Sequence, residues 1–366
     1  MEMTEIFKNL ALIIFGTLAL AGFGMVFGLL YKGIDRKISA HMQGRIGPPI
    51  RQPFRDVVKL FTKENIIPDN SIPWVFNLAP FIGLIATISI LLFLPIGGFD
   101  PVLGGLLTYE GSPLIFGDLI LILYLLIIPS LALVIGGFAS GSPYASVGAQ
   151  REMATMIAYE FPLAIVIVTI AWLFGRDVES GGQGITKAFT ITAITSPELV
   201  GGIWGTVGIF GFIGFLILLF VLVIVTPAEL SKIPFDSPEA ETEIAGGLLT
   251  EYSGRNLGLF YLMDAVKTVV MASLIVAIFF PFNLSLTLGL ESYPAYVVDI
   301  IFYLIKVLLV ILFSVTLIRV AIARLKIDQI VYTYWIWITL MALIGLLLVM
   351  YDRNFALQKV TEMIGL

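Results

Sequence analysis

Cysteine is absent from the chain, and histidine occurs once, as His41. Without a thiolate there is no disulfide, no thiolate zinc site and no Cys-held iron–sulfur cluster. A single imidazole cannot give a haem its His pair, so no redox cofactor is expected in this chain and any that operates belongs to a partner. Charge is scarce as well. Asp, Glu, Lys and Arg make up 13% of the 366 residues, against 58% hydrophobic, and the mean hydropathy is +1.01. That composition excludes an ordinary soluble domain and points to a bilayer. The net charge of -5 argues against nucleic acid as a partner, because phosphate binding needs a basic face.

What is present is a series of long apolar runs. A hydrocarbon core about 30 Å thick takes roughly 20 helical residues. Runs of that length, bounded by charge or by Pro and Gly clusters, fall at about 8–30, 75–95, 114–137, 153–174, 205–226, 258–280, 296–320 and 332–351. They predict an all-α integral membrane protein: a single transmembrane domain over 1–366, with lipid as its surroundings. The first run is too long, and is followed by charge where a cleavage site would have small residues, to be a removable signal peptide. Lys and Arg crowd one side, above all Lys32, Arg36, Lys37, Arg45, Arg51, Arg55, Lys59 and Lys63 in segment 31–74. Few, such as Arg176 and Lys187, fall on the other side. Both termini are therefore expected outside the plasma membrane, with the connections after helices 1, 3, 5 and 7 in the cytoplasm. No internal repeat is visible, which makes an autonomous ion-coupled carrier built from two related halves the weaker alternative.

Two cytoplasmic loops hold much of the polar character. In the basic loop 31–74, Gly44, Gly47, Pro48, Pro49 and Pro53 exclude helix up to about residue 53. From Pro53 onward Phe54, Val57, Val58 and Phe61 share one face, which predicts a short amphipathic helix at the membrane surface. The plain alternative is a basic loop that only sets topology. The loop at 227–257 is acidic, against the usual cytoplasmic bias, with Glu229, Asp236, Glu239, Glu241, Glu243 and Glu251. Ser237-Pro238-Glu239 reads as a helix start, which places Glu239 and Glu243 on one face, four residues apart. Repulsion there makes at least one of them easy to protonate. A solvated acidic loop is the alternative.

Ionisable residues inside the spans are costly unless paired or hydrated. Asp264 and Lys267 lie three apart in the sixth helix and are expected to pair. Glu160 has no basic residue one turn away in the fourth helix and is a candidate proton carrier.

These segments together resemble a known family. Gly44-Arg45-Ile46-Gly47-Pro48-Pro49, Gln52-Pro53, Asp56-Val57-Val58-Lys59-Leu60 and Lys63-Glu64 are similar to the first loop of the H subunit of respiratory complex I, the counterpart of mitochondrial subunit 1. Gln150-Arg151-Glu152 through Tyr159-Glu160 is similar to its fourth-helix motif. Ala228-Glu229-Leu230, Ile233-Pro234-Phe235-Asp236, Pro238-Glu239-Ala240-Glu241, Glu243 and Thr250-Glu251-Tyr252-Ser253-Gly254 resemble its fifth–sixth loop.

The resemblance implies a bundle of about eight tilted helices that receives a redox arm and joins it to antiporter-like pumping subunits. It also implies that Glu160, Glu229, Glu239, Glu241, Glu243 and Glu251 carry the ion path, to which the ionisable Asp236, Asp264 and Lys267 are added as candidates, a structural ion pair being the alternative for the last two. The Arg and Lys of segment 44–64 exceed what topology needs and sit beside an amphipathic helix, so Arg45, Arg51, Arg55, Asp56, Lys59 and Lys63, with Arg151 and Glu152, are expected to dock the arm. By the resemblance, the arm's hydrogenase-like large subunit and cluster-bearing small subunit would hold iron–sulfur clusters and a nickel–iron centre. The short joint Pro49-Ile50-Arg51 and the run Arg151-Glu152-Met153 resemble the archaeal membrane-bound hydrogenases and sulfane sulfur reductases more than complex I itself. A subunit lining a quinone or methanophenazine site is the rival within the family.

Overall fold

The computed structural model describes residues 3–97, 118–175, 191, 204, 207–288 and 293–364. Residues 176–190, with the Arg176 and Lys187 of the orientation argument, lie outside the described residues. The fold is all-α, and eight helices among the described residues are long and apolar enough to cross a bilayer, the number expected. They are α1 (Met3–Met42), α3 (Pro73–Leu91), α4 (Asp118–Ala139), α5 (Pro143–Gly175), α6 (Ile209–Glu229), α7 (Gly254–Phe279), α8 (Tyr293–Ala321) and α9 (Ile327–Arg353). The short α2 covers Gln52–Thr62, with a proline in its first turn.

Helix α7 forms the core. Nearly every side chain from Gly254 to Phe279 is buried, as expected of a helix apolar on all sides. Helices α1, α2, α3, α6 and α8 pack around it, while α5, α6 and α9 form a second group joined to the first through α4. Close approach depends on glycine where α1 crosses α7: a Cβ at Gly28 would stand 2.4 Å from the Ala265 carbonyl oxygen. Gly254, at the start of α7, has φ 54, and a Cβ there would meet the Glu64 carbonyl oxygen at 2.4 Å, so the end of the basic loop lies directly on α7.

Two helices overrun their expected ends. At 1.5 Å per residue α1 reaches about 60 Å, twice the hydrocarbon thickness. Lys32, Asp35, Arg36 and Lys37, expected in the loop, continue the helix, because no proline interrupts the chain before Pro48. Helix α5 begins at Pro143, a favourable first position, where the apolar run had suggested a start near residue 153. Arg151 and Glu152 are therefore helical. On α2, Phe54 and Val57 pack on the core, whereas Val58 and Phe61 remain exposed.

Candidate functional site

The C-terminal ends of α1, α6 and α8 converge on the N-terminal half of α7 and, with segment 230–241, enclose a cavity of about 550 Å³. Acidic and basic side chains line it in equal number. Asp264, just ahead of the middle of α7, accepts two cations on one oxygen: Lys32 Nζ lies 2.6 Å and Lys232 Nζ 2.7 Å from its Oδ2. Lys32 also donates to the Tyr261 carbonyl at 3.1 Å and sits 4.0 Å over that ring. Arg36, one turn further along α1, donates to Asp56 of α2 at 3.1 Å and to the Tyr261 hydroxyl. Asp35 accepts from Thr316 at 2.6 Å and from Arg319 at 3.1 Å, which ties α1 to α8. Arg324 grips both oxygens of Asp236 and donates to Thr242 at 3.0 Å.

Burial pushes the Lys232 amine down, but the carboxylates of Asp264 and Glu239 outweigh it and the net displacement is upward. Burial pushes the Glu239 carboxyl above the usual carboxylate range, with Lys232 opposing and Asp264 adding to the rise. A carboxyl raised on folding contributes stability at low pH and loses it as pH climbs from its unfolded value through its raised one. Stability of the assembled protein should therefore decline across the weakly acidic range, and Glu239→Gln should flatten that decline. Unfolding midpoints measured against pH check this, and an identical profile in the variant would mean that Glu239 titrates as an ordinary carboxylate.

At the chamber's inner margin, which Glu229 and Lys267 also line, a second and drier set begins. Glu229 Oε1 lies 2.8 Å from Lys267 Nζ, and the two side chains are only 2% and 4% exposed. Lys267 also donates to the Ser130 hydroxyl at 2.9 Å, and Ser130 lies 3.1 Å from the Tyr159 hydroxyl on α5. Hydrogen-bonding groups thus run from the chamber through α6 and α7 to α4 and α5. Glu160 follows Tyr159, half-buried on the flank of α5, with Glu229 and Lys267 as the charges acting on it.

Several expectations are corrected by these contacts. Asp264 and Lys267 do not pair with each other, because α7 is central and each finds its partner on another element. Glu239 and Glu243 do not share a helical face. Ser237–Glu239 is one 3₁₀ turn, Ala240 is extended, and Glu241–Ile244 is a separate turn. Glu239 and Glu241 line the chamber, whereas Glu243 forms an exposed pair with Arg151 and Glu251 lies outside the lining. Among the docking candidates Arg45, Arg51, Arg55, Lys59 and Lys63 are exposed. Asp56 is occupied by Arg36 and Gln52, Arg151 by Glu243 and the Ser237 carbonyl, and Glu152 is only 1% exposed. Lys32, Asp35, Arg36, Arg319 and Arg324 entered the sequence reading, where they entered it, only as topology signals. The spacing of three and four that puts Lys32, Asp35, Arg36 and Ser39 on one inward side of α1 is the signal that could have found the first of them.

Eight apolar helices, several of which line a charged chamber, define a multi-pass membrane protein whose polar chemistry is concentrated at one end of its bundle. The profile of the NADH dehydrogenase family matches residues 15–350, and the chain belongs to that family. It is 32% identical over 312 residues to the H subunit of the NADH-quinone oxidoreductase of Syntrophotalea carbinolica, covering 82% of this chain and 84% of the relative. Identity to Hydrogenase-4 component C of Escherichia coli is 32% over 316 residues, 86% of this chain and 89% of the relative. A chain in the structure of the membrane-bound sulfane sulfur reductase, an archaeal respiratory membrane complex, superposes with a TM-score of 0.75 at 28% identity. That match covers 92% of this chain and 99% of the other. The protein is accordingly a membrane subunit of the H type found in complex I-like respiratory complexes.

Proposed function

We propose that this chain connects a peripheral redox arm to ion-pumping membrane subunits and carries part of the path that couples electron transfer to H⁺ or Na⁺ translocation. The observation that carries the reading is the unbroken set of ionisable and hydroxyl groups from the chamber to Tyr159. Buried charge is expensive in a bilayer protein, and two adjacent networks of it on one helix are kept at a cost that packing alone does not repay. Glu239 and Asp264 receive the field of the arm; Glu229, Lys267 and Glu160 relay it inward. The exposed Arg45, Arg51, Arg55, Lys59 and Lys63 offer the arm a basic docking surface. In this reading the end of the bundle that holds the chamber faces the cytoplasm, as the excess of Lys and Arg on that side supports. Iron–sulfur clusters, and a nickel–iron centre if the complex is a hydrogenase, reside in the arm. The chamber's charged lining favours an ion path over the quinone-site alternative, since an apolar ring system gains little from such walls.

The test uses the complete complex in vesicles. Glu160→Gln keeps the shape and removes the charge, so assembly and dye-linked turnover of the arm should persist while coupled ion uptake falls by roughly tenfold or more. Full uptake per electron in that variant, together with full uptake in a Glu229→Gln variant, would sink the reading.

A further inference from the structure

Glu152 has the chemistry of the path but none of the exposure that docking requires. On α5 it lies on the same inward face as Thr155 and Tyr159, at spacings of three and seven. It is 1% exposed, yet its only side-chain hydrogen bond among the described residues is a long one, from the Ser231 hydroxyl to Oε2 at 3.4 Å. Its Oε1 has no partner among the described residues. A buried carboxylate oxygen left this way is destabilising, so the arrangement asks for a function that packing does not supply. The charged groups acting on Glu152 are Lys267, Glu239 and Glu229, and Lys267 is already bound to Glu229. Ser231 lines the chamber, as Glu229, Glu239 and Lys267 do, and its hydroxyl is the one group that reaches from that lining to the Glu152 carboxylate among the described residues.

We propose that Glu152 is a proton-holding site behind the chamber wall, which takes protons from the chamber through the Ser231 hydroxyl and passes them to the Glu229–Lys267 pair at the chamber's inner margin. This rests on the ion-path reading above. A proton leaving the Glu239 carboxyl is taken up at the Ser231 oxygen as the Ser231 hydroxyl proton moves to Glu152, which becomes a neutral acid. Glu152 then yields its proton to Glu229 through intervening water. As Glu229 is neutralised, its hold on Lys267 weakens and Lys267 keeps its bond to Ser130. Each transfer moves one proton and returns the donor carboxyl to its charged form, so charge is conserved throughout. Arg151, the preceding residue, points away to Glu243 and clamps the acidic segment onto α5.

The backbone of Ser231 makes a clean variant available. Its φ is 47, in the left-handed region that glycine adopts without penalty, so Ser231→Gly removes the hydroxyl and relaxes the chain at once. The complete complex in vesicles is assayed for charge moved per electron with a potential-sensitive dye, alongside dye-linked turnover of the arm. Glu152→Gln should reduce charge movement by roughly tenfold or more with turnover retained, and Ser231→Gly should reduce it severalfold. In infrared difference spectra the Glu152→Gln complex should also lack one protonated-carboxyl band that the parent shows during turnover, a signature that a purely structural acid would not produce. Normal charge movement in Glu152→Gln, with loss in Glu229→Gln, overturns this inference and leaves the path reading standing. Normal movement in both variants overturns this inference, and normal movement in Glu160→Gln as well overturns the path reading with it. If Glu152→Gln does not assemble, Ser231→Gly decides: undiminished charge movement there overturns the inference.

Discussion

Replacing Lys267 with Met should be the most damaging single change in the buried network, lowering stability by about 3–5 kcal/mol. Glu229 would be left as an anion 3% exposed with its one paired cation among the described residues gone, and Ser130 would lose the lysine as a donor. The cost comes less from the bond itself than from the charge it abandons, since an unpaired carboxylate in such surroundings must either stay ionised at great expense or bind a proton. The yield of assembled complex and its unfolding midpoint in detergent measure this. A midpoint equal to that of the parent would mean that Glu229 is already neutral or well hydrated.

Asp264→Asn is expected to be the second largest effect, and it acts on the chamber rather than the interior. Asp264 neutralises Lys32 and Lys232 together, so the amide would leave two ammonium groups side by side at one oxygen. The site is 27% exposed, so water and ions screen part of the repulsion and the stability cost should be about 1–3 kcal/mol. The loss of coupling should be larger than the loss of stability, because the same carboxylate joins α1, α7 and the acidic segment. Charge movement per electron should drop by roughly tenfold, and stability should recover partly as salt rises, since salt screens the two lysines. A variant with parental stability at low salt would show that one of the two lysines is already neutral.

The helix count was legible because the length of an apolar run reports bilayer thickness directly. Where the runs ended, the reading failed for α1 and α5. Charge ends an apolar run but does not end a helix, and Lys32 to Met42 and Tyr144 to Glu152 mix charged, polar and apolar residues with no proline to break the turn. The acidic segment and the intramembrane Asp264 and Lys267 stood out by composition. Their partners did not, because pairing rules along one helix reach only three or four residues, and α7 is surrounded by other helices that supply Lys32, Lys232, Glu229 and Ser130 instead. Glu239 and Glu243 were separated by the extended backbone of Ala240, which no residue type in Pro238-Glu239-Ala240-Glu241 signals. Glu152 was grouped with Arg151 as a docking residue, whereas a helix turns adjacent residues about 100° apart and here buries Glu152 beside a partly exposed Arg151.

The coupling role stands most directly on the Glu229–Lys267 pair, and the double variant Glu229→Gln with Lys267→Met tests it. Removing both charges spares the fold the lone buried ion, so assembly and stability should return to near those of the parent complex. Charge moved per electron, measured in vesicles with dye-linked turnover as the control, should nonetheless remain abolished. Parental charge movement in the restored double variant would contradict the role, and would make the pair a packing element beside a path that runs elsewhere.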